Sequence, residues 1–212
     1  MFADRRDAGR QLGEALAHYR KANPVVYGLP RGGVVIAAEV ARALGCELDV
    51  LLVKKLRAPR NPELAIGAIC EEGRTYLNLE IQSRTGADEN YLYLETAECL
   101  AEMAAQRKLY RTVRPRISAT GRTVILVDDG LATGATMMAA AQVVAAAKPV
   151  RLVVAVPVSP TETLGVLEKL PGVDTVVCLL MPDWFQSVGQ FYDDFTQVED
   201  EDVVEILKGA QQ

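Results

Sequence analysis

The chain reads VILVDDGLATGAT from Val124 to Thr136. Its first four residues are apolar and mostly β-branched, which is typical of a buried strand. The strand stops at Asp128 and Asp129, a turn of small residues follows, and the pattern then predicts a helix that opens between Thr133 and Thr136. The first N–H groups of a helix lack intrahelical partners, so this helix start can bind a phosphate. The two carboxylates suit hydroxyl groups or a magnesium ion.

A second strand, glycine loop and helix come earlier in the chain. Residues 24–27 predict a short buried strand, and GLPRGG follows at Gly28–Gly33 before a predicted helix over about 34–44. Glycines let the backbone approach a ligand closely, and Arg31 adds a positive charge. The loop is either an ordinary tight turn or a second anion-binding element. The presence of the motif at 124–136 favours an anion-binding element.

A third candidate loop follows the next strand, which is predicted over 48–53. The segment from Lys54 to Glu63 reads KKLRAPRNPE and contains two prolines and four cations. This composition is typical of a loop. The segment is either a solvated run of charge or a mobile cover that brings positive charge over a polyanion.

Strands and helices alternate along most of the 212 residues. The alternation predicts an α/β fold with a doubly wound, mainly parallel sheet. A hairpin at 66–79 and a long helix at about 88–111 interrupt this pattern. Ligands of such sheets bind at the carboxyl ends of the strands, where all three candidate loops fall.

Composition excludes several classes of protein. Half of the residues are hydrophobic, which excludes a disordered chain, and the net charge of −5 argues against a general nucleic-acid binder. The basic residues at 107–116 therefore indicate a cationic helix end rather than an RNA site. The single histidine, His18, lies on a predicted N-terminal helix and is expected to be structural, which argues against a catalytic triad, and a zinc site built on several histidines is excluded. Four cysteines without CxxC spacing and no long apolar run predict a cytoplasmic protein with free thiols.

The tail from about 181 to 195 is rich in aromatic and acidic residues. It is either a cap that buries its rings on the sheet edge or a lid with a ring that stacks on a planar ligand. Trp184 and Phe185 are the candidate stacking residues.

The stretch at 124–136 resembles the phosphoribosyl-diphosphate (PRPP) signature of the type I phosphoribosyltransferases: a hydrophobic strand, two acids, a short spacer and a Thr-Gly-x-Thr turn. Together with GLPRGG, it is most similar to a bacterial branch of that family. The resemblance implies that Asp128 and Asp129 hold the ribose hydroxyls, directly or through Mg²⁺. It also implies that the 5-phosphate is bound by Ala132, Thr133, Gly134, Ala135 and Thr136.

Further roles are implied by the same resemblance. Arg31, Gly32 and Gly33, with Pro30, would hold the diphosphate, assisted by Lys54 or Lys55 once the cover closes. In the oxopurine enzymes of the family an aspartate that acts on the purine stands where this chain has Ala132, so an adenine-like or orotate-like arrangement fits better. Glu63 is the candidate acidic side chain that would instead act as the base toward the acceptor.

The resemblance predicts a core at 1–180 with an insert at about 66–116, and a C-terminal hood at 181–212. The implied activity, in nucleotide metabolism, is transfer of the phosphoribosyl group from PRPP to a nucleobase or related heterocycle with release of diphosphate. The alternative is a non-catalytic PRPP sensor; a P-loop kinase is disfavoured because GK[ST] is missing. Expected partners are PRPP, an unidentified small acceptor and, in a homodimer, a second copy of the chain, without nucleic acid or membrane.

Overall fold

The computed structural model describes residues 1–210, except for the side chain of Glu63. The strands are β1 (Val25–Gly28), β2 (Glu47–Val50), β3 (Val53–Ala58), β4 (Asn61–Cys70), β5 (Thr75–Leu77), β6 (Thr123–Val127), β7 (Arg151–Val158) and β8 (Thr175–Leu180). The helices are α1 (Arg5–Ala15), α2 (Gly32–Leu44), α3 (Leu79–Thr85), α4 (Glu89–Val113), α5 (Ala135–Ala146), α6 (Thr161–Leu167) and α7 (Asp200–Gly209). Two short 3₁₀ helices cover Ala17–Ala22 and Val188–Phe191.

The central sheet is parallel and has the strand order β2-β1-β6-β7-β8. The predicted α/β fold with a mainly parallel sheet is therefore confirmed. Strands β1 and β6 are neighbours, and Gly28 lies opposite Val127 at their carboxyl ends. The glycine loop and the acidic turn consequently leave the sheet side by side, although they lie far apart in the sequence.

Both faces of this sheet are covered by helices, as the continuous apolar strands require. Along β6, Ile125 and Val127 belong to the apolar cluster that contains α1 and α2, whereas Val124 and Leu126 belong to the cluster that contains α5. Helix α5 also contacts β3 and β4. Its many buried alanines allow it to fit between the two sheets.

Helices α1 and α2 pack closely and run in the same direction. A Cβ atom on Gly9 would lie 2.7 Å from Glu39 Cβ, and one on Gly13 would lie 2.7 Å from Ala43 Cβ. Residues four apart lie on one helix face, so these two glycines form the contact surface of α1. Arg5, one turn before Gly9, is thereby carried to the start of α2.

The prediction of a loop over Lys54–Glu63 is wrong. Strands β3 and β4 form an antiparallel hairpin, in which Ala58 pairs with Asn61 across the turn. The pairing of the two strands is irregular between Arg57 and Ala58. Pro62 lies opposite this irregularity, where a strand residue does not need a backbone N–H to donate to its neighbour. The predicted strand over 48–53 is likewise divided between β2 and β3.

The hairpin and the long helix that follow were correctly predicted. Strand β5 pairs with β4 and completes a three-stranded antiparallel sheet, and α4 begins after Asp88, which accepts the Tyr91 N–H at 2.8 Å. The short helix α3 was not predicted. No helix within residues 1–210 combines the length and the apolar character needed to cross a membrane.

Candidate active site

The two predicted loops touch at the carboxyl edge of the sheet. The Leu29 N–H donates to the Val127 carbonyl at 2.9 Å. A Cβ atom on Gly32 would lie 2.0 Å from Asp129 Oδ2, and one on Gly33 would lie 2.8 Å from Asp128 Oδ1. Only glycine permits this approach of backbone to carboxylate.

The acidic turn is partly buried, and the side chain of Asp129 is 17% exposed. Burial, and next the negative charge of Asp129, raises the pKa of Asp128 well above its usual range. Burial also raises the pKa of Asp129, while its hydrogen bond with Arg5 opposes that rise. Adjacent, partly buried carboxylates can bind positive charge or hydroxyl donors, so the predicted role of Asp128 and Asp129 stays a prediction.

Arg5 is a site residue that the sequence analysis missed. Its Nε donates to Asp129 Oδ2 at 2.8 Å, its NH1 donates to the Thr196 carbonyl at 2.8 Å, and its guanidinium lies 3.7 Å from the centroid of the Phe195 ring. The spacing of Arg5 with the two glycines of α1 was the available signal, since it marks one face of that helix.

The small-residue turn leads directly into α5. Gly134 adopts a left-handed conformation with φ of 69° and has no side chain to cap the helix. Leu131 N–H donates to the Val158 carbonyl at 2.9 Å, and the Thr163 hydroxyl donates to the Ala132 carbonyl at 2.7 Å. These bonds hold the turn in place, while Thr133 and Thr136 are exposed. Thr163, from α6, is a second residue that the sequence analysis missed.

The C-terminal segment lies on the acidic turn. The Tyr192 hydroxyl donates to the Asp129 carbonyl at 2.6 Å, and a Cβ atom on Gly130 would lie 2.6 Å from a Val188 methyl group. Phe185 is partly buried and stacks on Phe191, with ring centroids 5.5 Å apart. Trp184 is 76% exposed. The tail therefore combines a packed part with an exposed ring.

Arg31 lies at the start of α2 and is half-exposed. Its NH1 donates to Glu199 Oε2 at 3.0 Å, immediately before α7. An anion that binds Arg31 would meet a guanidinium already paired with a carboxylate. Glu199 was not anticipated from the sequence.

The predicted lysines lie on β3, and the structure pairs Lys54 with α4. Lys54 Nζ lies 2.7 Å from Glu102, and Arg57 Nε lies 2.7 Å from Glu95 on the same helix. Lys55 also lies on β3. The side chain of Glu63 lies outside the described part of the structure, so its role stays a prediction.

Asp128 and Asp129 are the residues that could hold a divalent cation. Carboxylate oxygens are preferred Mg²⁺ ligands, so the donor set fits this ion, although Arg5 already binds one oxygen of Asp129. Within residues 1–210, leaving aside Glu63, no three His, Cys, Asp or Glu side chains cluster as a metal site. A Mg²⁺ ion at this position would complete its coordination with water or substrate oxygens.

If the site binds PRPP, as the resemblance implies, replacing Gly32 by alanine should weaken that binding by about tenfold, because the added methyl group would displace Asp129 and Arg5. Its Cβ would lie 2.0 Å from Asp129 Oδ2 and 2.8 Å from Arg5 Nε. Gly165→Ala is the matched control, since a Cβ there meets nothing within 4 Å. Titration calorimetry with PRPP and Mg²⁺ measures both variants. Wild-type affinity in Gly32→Ala would show that the close approach is unimportant for binding.

Comparison with known proteins gives a consistent result. Residues 5–196 match the family described as "Phosphoribosyl transferase domain". Two Mycobacterium tuberculosis proteins, from strains CDC 1551 / Oshkosh and H37Rv, are 44% identical over 211 residues and are named provisionally as phosphoribosyl transferases. The matches cover 99% of this chain but 47% of each relative. The chain thus spans about half the length of the curated relatives it matches.

Solved structures share the fold. The crystal structure of TT1426 from Thermus thermophilus is 49% identical and superposes with a TM-score of 0.92, covering 99% of this chain and 98% of that one. A hypothetical protein from Neisseria gonorrhoeae with bound ppGpp has a TM-score of 0.50 at 11% identity, covering 98% and 93% of the two chains. The second likeness concerns the fold alone.

Proposed function

The chain belongs to the phosphoribosyl transferase family, and on that premise we propose that it transfers the 5-phosphoribosyl group of PRPP to a nitrogenous acceptor. The acceptor would be a nucleobase or a related heterocycle, and diphosphate would be released. The observation that carries the proposal is the contact between the glycine loop at Gly32 and Gly33 and the carboxylates of Asp128 and Asp129.

Three parts of PRPP would meet three parts of this site. The 5-phosphate would lie at the start of α5, where backbone N–H groups and threonine hydroxyls could donate to it. The ribose hydroxyls would donate to Asp128 and Asp129. The diphosphate would lie against Arg31 and the backbone of the glycine loop, because a guanidinium and successive N–H groups bind phosphate oxygens well.

In the proposed reaction, the bond from the anomeric carbon to the diphosphate oxygen breaks while a bond to the acceptor nitrogen forms. Negative charge collects on the leaving diphosphate, where Arg31 would stabilise it. Arg31 would exchange its bond with Glu199 for one with the diphosphate. The carboxylates would hold the ribose so that its anomeric carbon faces the acceptor.

A magnesium ion held by Asp128 and Asp129 would supply further charge stabilisation to the leaving group. Lys54 or Lys55 could assist only after a rearrangement of β3, because Lys54 is paired with Glu102. The exposed ring of Trp184 or the partly buried ring of Phe185 would stack on a planar acceptor. Glu63 stays the proposed proton acceptor.

Release of diphosphate from PRPP across a panel of nucleobases and amines tests the function. We expect release with at least one heterocycle and only slow release without an acceptor. A reaction without protein and one with Asp128→Asn/Asp129→Asn are the controls. PRPP binding without turnover on any acceptor would support a PRPP sensor instead, and absence of PRPP binding would contradict both functions.

We also propose a cytoplasmic location and a homodimer. All four cysteines are free, which supports a reducing compartment. Leu79, Tyr93 and Leu94 expose most of their side chains on α3 and α4, which supports a contact with a second copy. Sedimentation of the full chain measures the oligomeric state.

A further inference from the structure

One charge contact of the site has no role in the function proposed so far. Arg5 Nε lies 2.8 Å from Asp129 Oδ2, and the two side chains are only 11% and 17% exposed. At this distance and degree of burial, opposite charges interact far more strongly than they do in water. The guanidinium therefore occupies an oxygen of the carboxylate that a divalent cation would use.

Arg5 is also fixed from three other directions. The Thr196 carbonyl accepts from its NH1, and the Phe195 ring lies against its guanidinium face. Helix α1 places Arg5 beside Gly32, because Gly9 and Gly13 hold this helix closely against α2. A side chain held in this way loses little further freedom by staying on Asp129.

We propose that Arg5 is a built-in counter-ion of Asp129 that makes the acidic turn a poor site for free divalent cations. This inference rests on the proposed function. A free Mg²⁺ ion would have to bind next to a fixed positive charge, which opposes it.

A purely structural role of Arg5, as a tie between α1 and the acidic turn, makes a different prediction. Removal of such a tie would change stability without increasing metal affinity. Removal of a counter-ion would increase the affinity of the carboxylates for a cation. Arg5 is thus a positioning residue, and metal binding in the absence of PRPP separates the two roles.

The experiment uses Mn²⁺ as the probe on the full chain without PRPP, measured by electron paramagnetic resonance. We expect Arg5→Gln to bind Mn²⁺ at least about tenfold more tightly than the wild type, and Arg5→Lys to bind it weakly, as the wild type does. Arg6→Gln is the matched control, since Arg6 pairs with Glu39 and its side chain is 56% exposed. Adding Asp129→Asn to Arg5→Gln should abolish the gain.

Equal Mn²⁺ affinities of the wild type and Arg5→Gln would overturn the inference. If Arg5→Gln does not fold, the wild type alone provides a test. Tight Mn²⁺ binding by the wild type without PRPP would also overturn the inference, provided that Asp129→Asn removes this binding. Weak Mn²⁺ binding by the wild type that becomes tight in a folded Arg5→Ala variant would support it. Failure of the wild type to bind PRPP would instead contradict the proposed function, so the two failures can be distinguished.

Discussion

Replacement of both Asp128 and Asp129 by asparagine is expected to lower the affinity for PRPP by at least about 100-fold, which corresponds to roughly 2.7 kcal/mol. Each carboxylate would accept a charged hydrogen bond from a ribose hydroxyl, and such bonds contribute about 1.5–3 kcal/mol. Asparagine keeps the shape of the side chain but removes the negative charge. Titration calorimetry with PRPP and Mg²⁺ measures the effect.

The control removes two negative charges elsewhere. Glu201→Gln/Glu205→Gln changes two exposed carboxylates of α7 and should bind PRPP as the wild type does. Arg5 loses its carboxylate partner in the double aspartate variant, so thermal unfolding must show that the variant is folded at the assay temperature. Unchanged PRPP affinity in a folded double variant would contradict the placement of the ribose on these residues.

The local parts of this site could be predicted from the sequence. An apolar strand before Asp128, small residues after it and glycines around Arg31 specify two strand-to-helix loops through nearest neighbours alone. The parallel sheet also followed, because alternating strands and helices leave few topologies. That β1 and β6 are adjacent depends on packing across the whole domain, which a local pattern does not encode.

Residues brought in from the termini could not be predicted in this way. Tyr192 and Glu199 reach the site through the path of a C-terminal segment whose contacts lie far away in the sequence. The position of Arg5 in the site depends on how α1 is aligned along α2. The prolines of Lys54–Glu63 predict a loop because they suggest a break, whereas a turn at Pro59 and a bulge near Pro62 accommodate them within the β3–β4 hairpin.

The basic end of α4 is a further case in which sequence identifies charge but not its partners. Arg111 NH1 donates to Asp49 Oδ1 at 2.6 Å, and its Nε donates to Glu71 Oε2 at 2.9 Å. Asp49 lies on β2 and is fully buried, and Glu71 is 2% exposed. Arg116 binds the other oxygen of Asp49 at 2.9 Å. This ion cluster joins α4 and the antiparallel sheet to the edge of the parallel sheet.

Arg111→Met is therefore expected to lower the free energy of unfolding by about 3–5 kcal/mol, because it leaves the charge of Glu71 buried without its guanidinium partner. Asp49 would keep its ion pair with Arg116, so its charge would be less destabilised than that of Glu71. Urea unfolding followed by circular dichroism measures the loss, and Arg107→Met, an exposed arginine one turn earlier, should change stability by less than about 0.5 kcal/mol.

The same variant separates stability from binding. Asp128, Asp129 and Arg31 are not in contact with Arg111, so a variant that remains folded at low temperature should bind PRPP with nearly wild-type affinity. Adding Glu71→Gln should recover part of the lost stability, since a neutral amide costs less to bury than an unpaired carboxylate. Equal stability of Arg111→Met and Arg107→Met would mean that water solvates the charge of Glu71 in place of Arg111. The ion cluster would then not hold the two sheets together.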